Sequence, residues 1–163
     1  MPTASAPCAA EFVEFLPIQT RWRDNDLYGH VNNVVYYEYF DTAVNRWLIQ
    51  QGLLCPQTSA LIGVVVYTQC EYFESVAFPD QLLAGIKVLH LGNSSVRYQI
   101  GLFRVEPSTA GIESESGFDQ VQSDQQASAL GEFVHVYVDR TTRKPVPLPD
   151  AWREALVGLQ RPC

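Results

Sequence analysis

The densest polar run in the chain is Arg21-Trp22-Arg23-Asp24-Asn25-Asp26-Leu27-Tyr28-Gly29-His30-Val31-Asn32-Asn33, directly ahead of a helical pattern. A carboxylate in that position can attack a carbonyl carbon or activate a water for the attack. A helix start leaves backbone N–H groups without intrahelical partners. Their positive dipole end can hold the oxyanion that the attack creates. Asp26 and His30 lie just before that start, so both features can address the same carbonyl. Asp, Asn and Gly ahead of a helix also serve as plain turn and capping residues. Capping uses one such residue, whereas Asp24, Asn25, Asp26, Gly29, His30, Asn32 and Asn33 crowd into this one stretch.

The sequence offers little competing chemistry. It has no GxSxG elbow, no HExxH, no GxxxxGK[ST] and no GxGxxG. Its cysteines (Cys8, Cys55, Cys70, Cys163) form no CxxC pair, and its three histidines are as scattered, so metal-ligand spacing is absent. His90 and His135 read as packing or surface residues. Ser94 and Ser95 have no adjacent base to make either a nucleophile. Glu71 reads as an exposed strand carboxylate, with the lining of a neighbouring subunit's site as the alternative. Asp41 sits mid-helix, away from helix-terminus donors, and reads as a structural hydrogen-bonding group, with a catalytic carboxylate as the alternative.

The elements that must hold the polar run follow from periodicity. Residues 12–23 alternate apolar and polar and predict a strand. If that strand continued, Asp24 and Asp26 would share a face. Residues 33–51 predict one long helix, with Tyr36/Tyr37, Phe40, Ala43/Val44 and Trp47/Leu48 recurring every three to four residues. Asn32 or Asn33 fits its N-cap, and Gly52 fits its C′ position. Period-two patterns at 63–72, 80–91, 94–105 and 127–139 predict further strands. Residues 150–156 predict a short closing helix. One helix followed by long strands gives an α+β layer architecture, an antiparallel sheet packed on a single helix.

With 163 residues, 47% of them hydrophobic, the chain fits a single domain spanning 1–163, able to build a core without disulfide or metal staples. Residues 1–11 are expected to be flexible and 106–126 to be an acidic hairpin insertion. That insertion holds five acids and no Lys or Arg, so only −2 of the net charge of −7 belongs to the rest. The acidity argues against nucleic acid. The N-terminus has no signal-peptide pattern and no apolar run is long enough to span a bilayer, so a cytoplasmic protein with reduced thiols and no membrane partner is expected. Arg140, Arg143 and Lys144 form a small basic cluster after the last strand.

The run WRDNDLYGHVNNVVYYEYFDTA resembles the D-x-D-x-x-G-H-V-N-N segment of hotdog-fold acyl thioesterases, the 4-hydroxybenzoyl-CoA thioesterase branch in particular. The later segments LHLGNSSVRYQIGLFR and FVHVYVDRTTRKPVPLP look like the same family, so the likeness covers residues 12 to 155. It implies a hotdog fold, an antiparallel sheet wrapped around one long central helix, and hydrolysis of an acyl-CoA thioester to acid and free CoA. Acyl-carrier-protein thioesterase and non-catalytic acyl-binding hotdog are the alternatives. Asp26 would be base or nucleophile, and the backbone N–H near Asn33 would polarise the thioester carbonyl. His30 would orient the carboxylate, water or substrate. Tyr28, Gly29, Val31, Asn32 and Asn33 would contact substrate, and Arg140, Arg143 and Lys144 the CoA phosphates. Asp24 would be structural, pairing with an Arg or capping the turn. No metal or organic cofactor is implied, since the reaction asks only for a base and oxyanion donors. The resemblance also implies a homo-oligomer, dimer or tetramer, that covers an open sheet edge.

Overall fold

The computed structural model describes residues 5–106 and 121–160. The chain forms β1 (Glu14–Gln19), α1 (Asn33–Gln50), β2 (Leu61–Tyr72), β3 (Gln81–Leu91), β4 (Ser95–Val105), β5 (Ala129–Asp139) and α2 (Asp150–Val157). All five strands join one antiparallel sheet in the order β1-β3-β4-β5-β2. This sheet wrapped on α1 is the expected hotdog fold. Tyr36, Tyr39, Phe40, Ala43, Val44, Trp47 and Leu48 form the buried stripe of α1. They meet Val96, Tyr98, Ile100 and Leu102 of β4 with Phe133 and Tyr137 of β5. One contact sets how closely helix and sheet approach: a Cβ at Gly131 would lie 2.5 Å from the Phe40 ring.

The helix ends follow the sequence signals. The Asn32 side chain caps Val34 N–H at 3.0 Å, and Gly52 takes φ +70° just beyond the C-terminus. The closing helix begins at Asp150, as its signal suggests, with Pro149 as N-cap.

Two expectations need correction. The first strand is six residues long and does not reach Arg23; Trp22–Asp24 forms a 3-10 turn instead. The Asp24 carboxylate accepts the Arg21 N–H at 2.8 Å, which closes that turn, so Asp24 and Asp26 do not share a strand face. The flexible N-terminus does not extend to residue 11. Ala9–Glu11 is a 3-10 turn whose Ala9 and Ala10 N–H groups donate to Gln125 O and Ser123 O, each at 2.9 Å. Ala9, Phe12, Phe103 and Ala127 make a second small core that fastens this segment to the sheet. Residues 1–4, and residues 107–120 of the acidic insertion, lie outside the described residues.

The two sheet edges differ. β1 is short and carries Pro17, features that blunt an edge. β2 is twelve residues long and its outer side has no strand partner among the described residues. Val64, Val65, Val66 and Tyr67 at its centre are 40–59% exposed, an unusual amount of apolar side chain on an open edge. Among the described residues, no helix is long and apolar enough to cross a membrane.

Candidate active site

The polar run folds into a hairpin-like tip between the 3-10 turn and α1. Asn25 and Val31 pair as an antiparallel bridge, Asp26 N–H donates to His30 O at 2.8 Å, and Gly29 N–H donates to Asp26 O at 3.2 Å. Gly29 has φ +86°, a conformation open to glycine at no steric cost. Asp26 Oδ1 accepts the Tyr28 N–H at 2.8 Å, an Asx turn, and the other carboxylate oxygen has no partner among the described residues. Asp26 and His30 are therefore opposed across the tip. Leu27, Tyr28, Gly29 and His30 are exposed, whereas the Val31 side chain is buried beneath them.

The base of the tip is fixed on three sides. Val31 N–H donates to Val76 O at 2.8 Å, Asn32 N–H to Asp24 O at 2.8 Å, and Phe78 N–H to Asn25 Oδ1 at 2.9 Å. Of the donors around the first helical turn, one is left open. Asn32 N–H is taken by Asp24, Val34 N–H by the Asn32 side chain, and Val35 N–H by Asn32 O at 2.9 Å. Asn33 N–H alone among these four has no partner among the described residues. It carries the positive end of an 18-residue helix.

Asn33 borders an open cavity of about 260 Å³. His30, Val31 and Tyr36 form one wall, and Tyr72, Phe73, Glu74 and Ser75, from the end of β2 and the residues after it, form the other. Asp26 is not on these walls; its backbone N–H is bonded to the oxygen of His30, which is. Tyr72 Oη donates to Asn33 O at 3.0 Å and its ring meets Tyr36 edge-on at 5.0 Å, tying the end of β2 to the first turn of α1. Burial, then the neighbouring Cys70, pushes the Tyr72 hydroxyl well above its ordinary range, so it stays protonated and donating. Glu74 is neutralised by Arg104 at 2.8 Å.

Tyr72, Phe73, Glu74 and Ser75 are cavity residues that the sequence did not single out for chemistry. They lie some forty positions from the polar run, in a stretch where the strand period stops and no motif begins. Glu71, the residue weighed in their place, is exposed. Asp41 is also exposed and bonded to Asn45 at 3.2 Å; eight residues beyond Asn33, it is about 12 Å along the helix axis from the first turn. His90 is exposed and His135 is buried in the core, as expected of packing or surface residues.

Asp24 pairs with an arginine, as expected. Its side chain is only 1% exposed. The carboxylate accepts Tyr39 Oη at 2.6 Å, Arg21 Nε at 2.9 Å and the Arg21 N–H, while Arg21 also reaches Glu38 at 2.8 Å. Burial works to raise its pKa, but the hydrogen bonds from Tyr39 and Arg21 outweigh burial and hold it below the ordinary carboxylate value.

The basic cluster lies elsewhere. Asp139 pairs with Leu61 at the far end of β2, eleven residues from Tyr72, or about 36 Å of strand. The Arg140 guanidinium donates to Ser59 O at 2.6 Å, Gln57 O at 3.3 Å and Pro56 O at 2.7 Å, which anchors the loop before β2. Arg143 and Lys144 are exposed and make no ion pair among the described residues. Also among the described residues, no group of three or more His, Cys, Asp or Glu side chains converges to hold a metal.

Comparison with known proteins places this geometry. The profile of the thioesterase-like superfamily matches residues 20–156. The PA5185 protein of Pseudomonas aeruginosa PAO1 has a crystal structure that is 44% identical, with a TM-score of 0.81, over 95% of this chain and 96% of that one. A thioesterase of Thermus thermophilus, crystallised with coenzyme A and zinc, is 25% identical with a TM-score of 0.68, over 93% of this chain and 98% of that one. The YsmA protein of Bacillus subtilis is 26% identical over 85 residues, which are 52% of this chain and 57% of that relative.

Proposed function

The chain belongs to the thioesterase-like superfamily, and on that premise we propose that it is a thioester hydrolase acting on acyl-CoA at the N-terminus of α1. The observation that carries this reading is the first-turn donor without a partner among the described residues, Asn33 N–H, beside an open cavity and next to the Asp26–His30 tip. The thioester carbonyl oxygen lies against Asn33 N–H, where negative charge developing in the tetrahedral intermediate meets the helix dipole. The Asp26 oxygen outside the Asx turn attacks the carbon or takes a proton from water, and His30, bonded to the other side of the tip, orients it. As the C–S bond breaks, on the water route the proton taken by Asp26 passes to the leaving sulfur, giving the CoA thiol and the free acid. On the direct route the sulfur leaves as thiolate and takes a proton from solvent, and water then hydrolyses the Asp26–acyl anhydride to release the acid. Tyr28, Gly29, Val31 and Asn32 shape the approach of the acyl group.

We further propose a homodimer closed through β2. A two-fold axis at Val66/Tyr67 pairs the strand with its own copy in antiparallel fashion and covers the open apolar edge. It also brings the Leu61 end of the partner beside Tyr72. The partner's Arg143 and the partner's Lys144 then face the cavity mouth and can take the CoA phosphates; Arg140, consumed by three carbonyls, holds their loop. Coenzyme A in the Thermus thermophilus thioesterase supports this substrate class. On this reading the enzyme works in the cytoplasm, where acyl-CoA is made and used.

The test is release of free thiol from short, medium, long and aromatic acyl-CoAs. Turnover of at least one class, lost in Asp26→Asn, is expected. An inert wild type across the whole panel overturns the proposal.

A further inference from the structure

We infer that Asp24 is a positioning residue of this site: its buried carboxylate joins α1 to the strand end so that Asn33 N–H is the donor left open and the Asp26–His30 tip stands over it. The inference rests on the proposed thioesterase reading of the site and adds a residue that touches no substrate.

Asp24 connects the two sides of the site through four groups. Its carboxylate reaches forward to Tyr39, on the second turn of α1, and backward to the N–H and guanidinium of Arg21. Its backbone oxygen takes the Asn32 N–H, and its N–H closes on Arg21 O at 2.9 Å. One residue thereby fixes the distance between the 3-10 turn and the helix and occupies the donor just before the oxyanion position. Asn25, the next residue, anchors the opposite root of the tip on Phe78 N–H. The tip and the helix start can shift relative to one another only if the Asp24 bonds break.

A buried ion is an expensive way to build a turn. A carboxylate at 1% exposure is tolerable only because several donors converge on it. An exposed Asp or Ser could have capped the same 3-10 turn without being buried. Burial gives directionality: Tyr39 Oη at 2.6 Å and the Arg21 N–H share Oδ2 while Arg21 Nε takes Oδ1, so both carboxylate oxygens are engaged and the turn is held in one orientation. Small displacements matter here, since a misplacement of about 1 Å of a reacting group can cost on the order of 100-fold in rate.

The test compares Asp24→Asn, Tyr39→Phe and the exposed-pair control Glu38→Gln by steady-state kinetics on the best acyl-CoA and by amide resonances of Asn32 and Asn33. Asp24→Asn should lower kcat by about 10- to 100-fold with KM within about threefold, the pattern of lost transition-state alignment. Tyr39→Phe should lower kcat by about three- to tenfold, and both variants should move the Asn32 and Asn33 amides. Glu38→Gln should do neither. Should Asp24→Asn fail to fold, Tyr39→Phe carries the test, since it removes one hydroxyl and keeps the ring. Unmoved amides with kcat per folded molecule within twofold of wild type, and only the melting temperature lowered, would overturn the inference and leave Asp24 a stabilising ion. A wild type inert on every thioester sinks the proposed function instead, and the amide resonances then decide the positioning claim by themselves.

Discussion

His135 offers a sharp test of how the core is built. It projects from β5 towards α1 at 2% exposure, among the rings of Tyr98, Phe133 and Tyr137 at 5.3, 5.9 and 6.0 Å, and neither ring nitrogen has a hydrogen-bond partner among the described residues. Burial pushes its pKa down from 6.5 to about 4. The folded chain therefore disfavours the charged imidazole, and between pH 6.5 and 4 the unfolded chain binds more protons. Stability is present above that window and is lost as pH falls through it. At about 1.36 kcal/mol per pKa unit, the loss between pH 7 and pH 4 amounts to about 3 kcal/mol. His135→Leu removes the titration. At pH 7 it trades relief of an unsatisfied N–H, about 1–3 kcal/mol, against lost ring contacts of about 0.5–1.5 kcal/mol, so the neutral-pH change is small. The assay is urea unfolding of both proteins at fixed concentration in half-unit steps from pH 7.5 to 4. Carboxylates such as Asp24 titrate alike in the two proteins and cancel in the difference. The two stability curves should diverge by about 3 kcal/mol towards pH 4. Parallel curves over the whole range would refute the reasoning.

Three other perturbations follow from the same structure. Gly131→Ala places a methyl 2.5 Å from the Phe40 ring and should destabilise by about 1–3 kcal/mol, seen as a lower melting temperature; an unchanged value would mean α1 does not press on β5 as described. Asn32→Ala removes the cap on Val34 N–H and should cost about 1 kcal/mol in chemical unfolding, while leaving a second first-turn donor open beside Asn33. Val66→Lys, at the centre of the open β2 edge, should leave a monomer by light scattering where the proposed homodimer is expected of the wild type, and remove thioesterase activity. A dimer that survives this change would mean the copies meet elsewhere.

The fold was largely legible because its signals are local. The change from a 3.6-residue to a two-residue period after Gly52 separates α1 from the strands, and Asn32, one of the two N-cap candidates, and Gly52 flank the helix. The polar run was legible as a candidate site for the same reason: a carboxylate and a helix start lie within seven residues. What stayed hidden depends on contacts distant in sequence. Tyr72 joins the candidate site because its hydroxyl reaches Asn33, across 39 residues. Arg140 looks like a phosphate ligand until Pro56, Gln57 and Ser59 are seen to occupy it. The premature end of β1 was masked by an alternation that runs on into a 3-10 turn closed by a side chain, an event that strand periodicity does not register.

The central claim is that Asp26 attacks, directly or through water, a thioester held by Asn33 N–H. Its most direct test measures kcat/KM for wild type and Asp26→Asn on the preferred acyl-CoA, together with binding of the matching non-hydrolysable thioether. A fall of about 100- to 10,000-fold in kcat/KM is predicted for Asp26→Asn, with thioether affinity within about threefold of wild type. Retention of more than a tenth of the wild-type kcat/KM in Asp26→Asn, with activity abolished instead in Asp41→Asn, would contradict it.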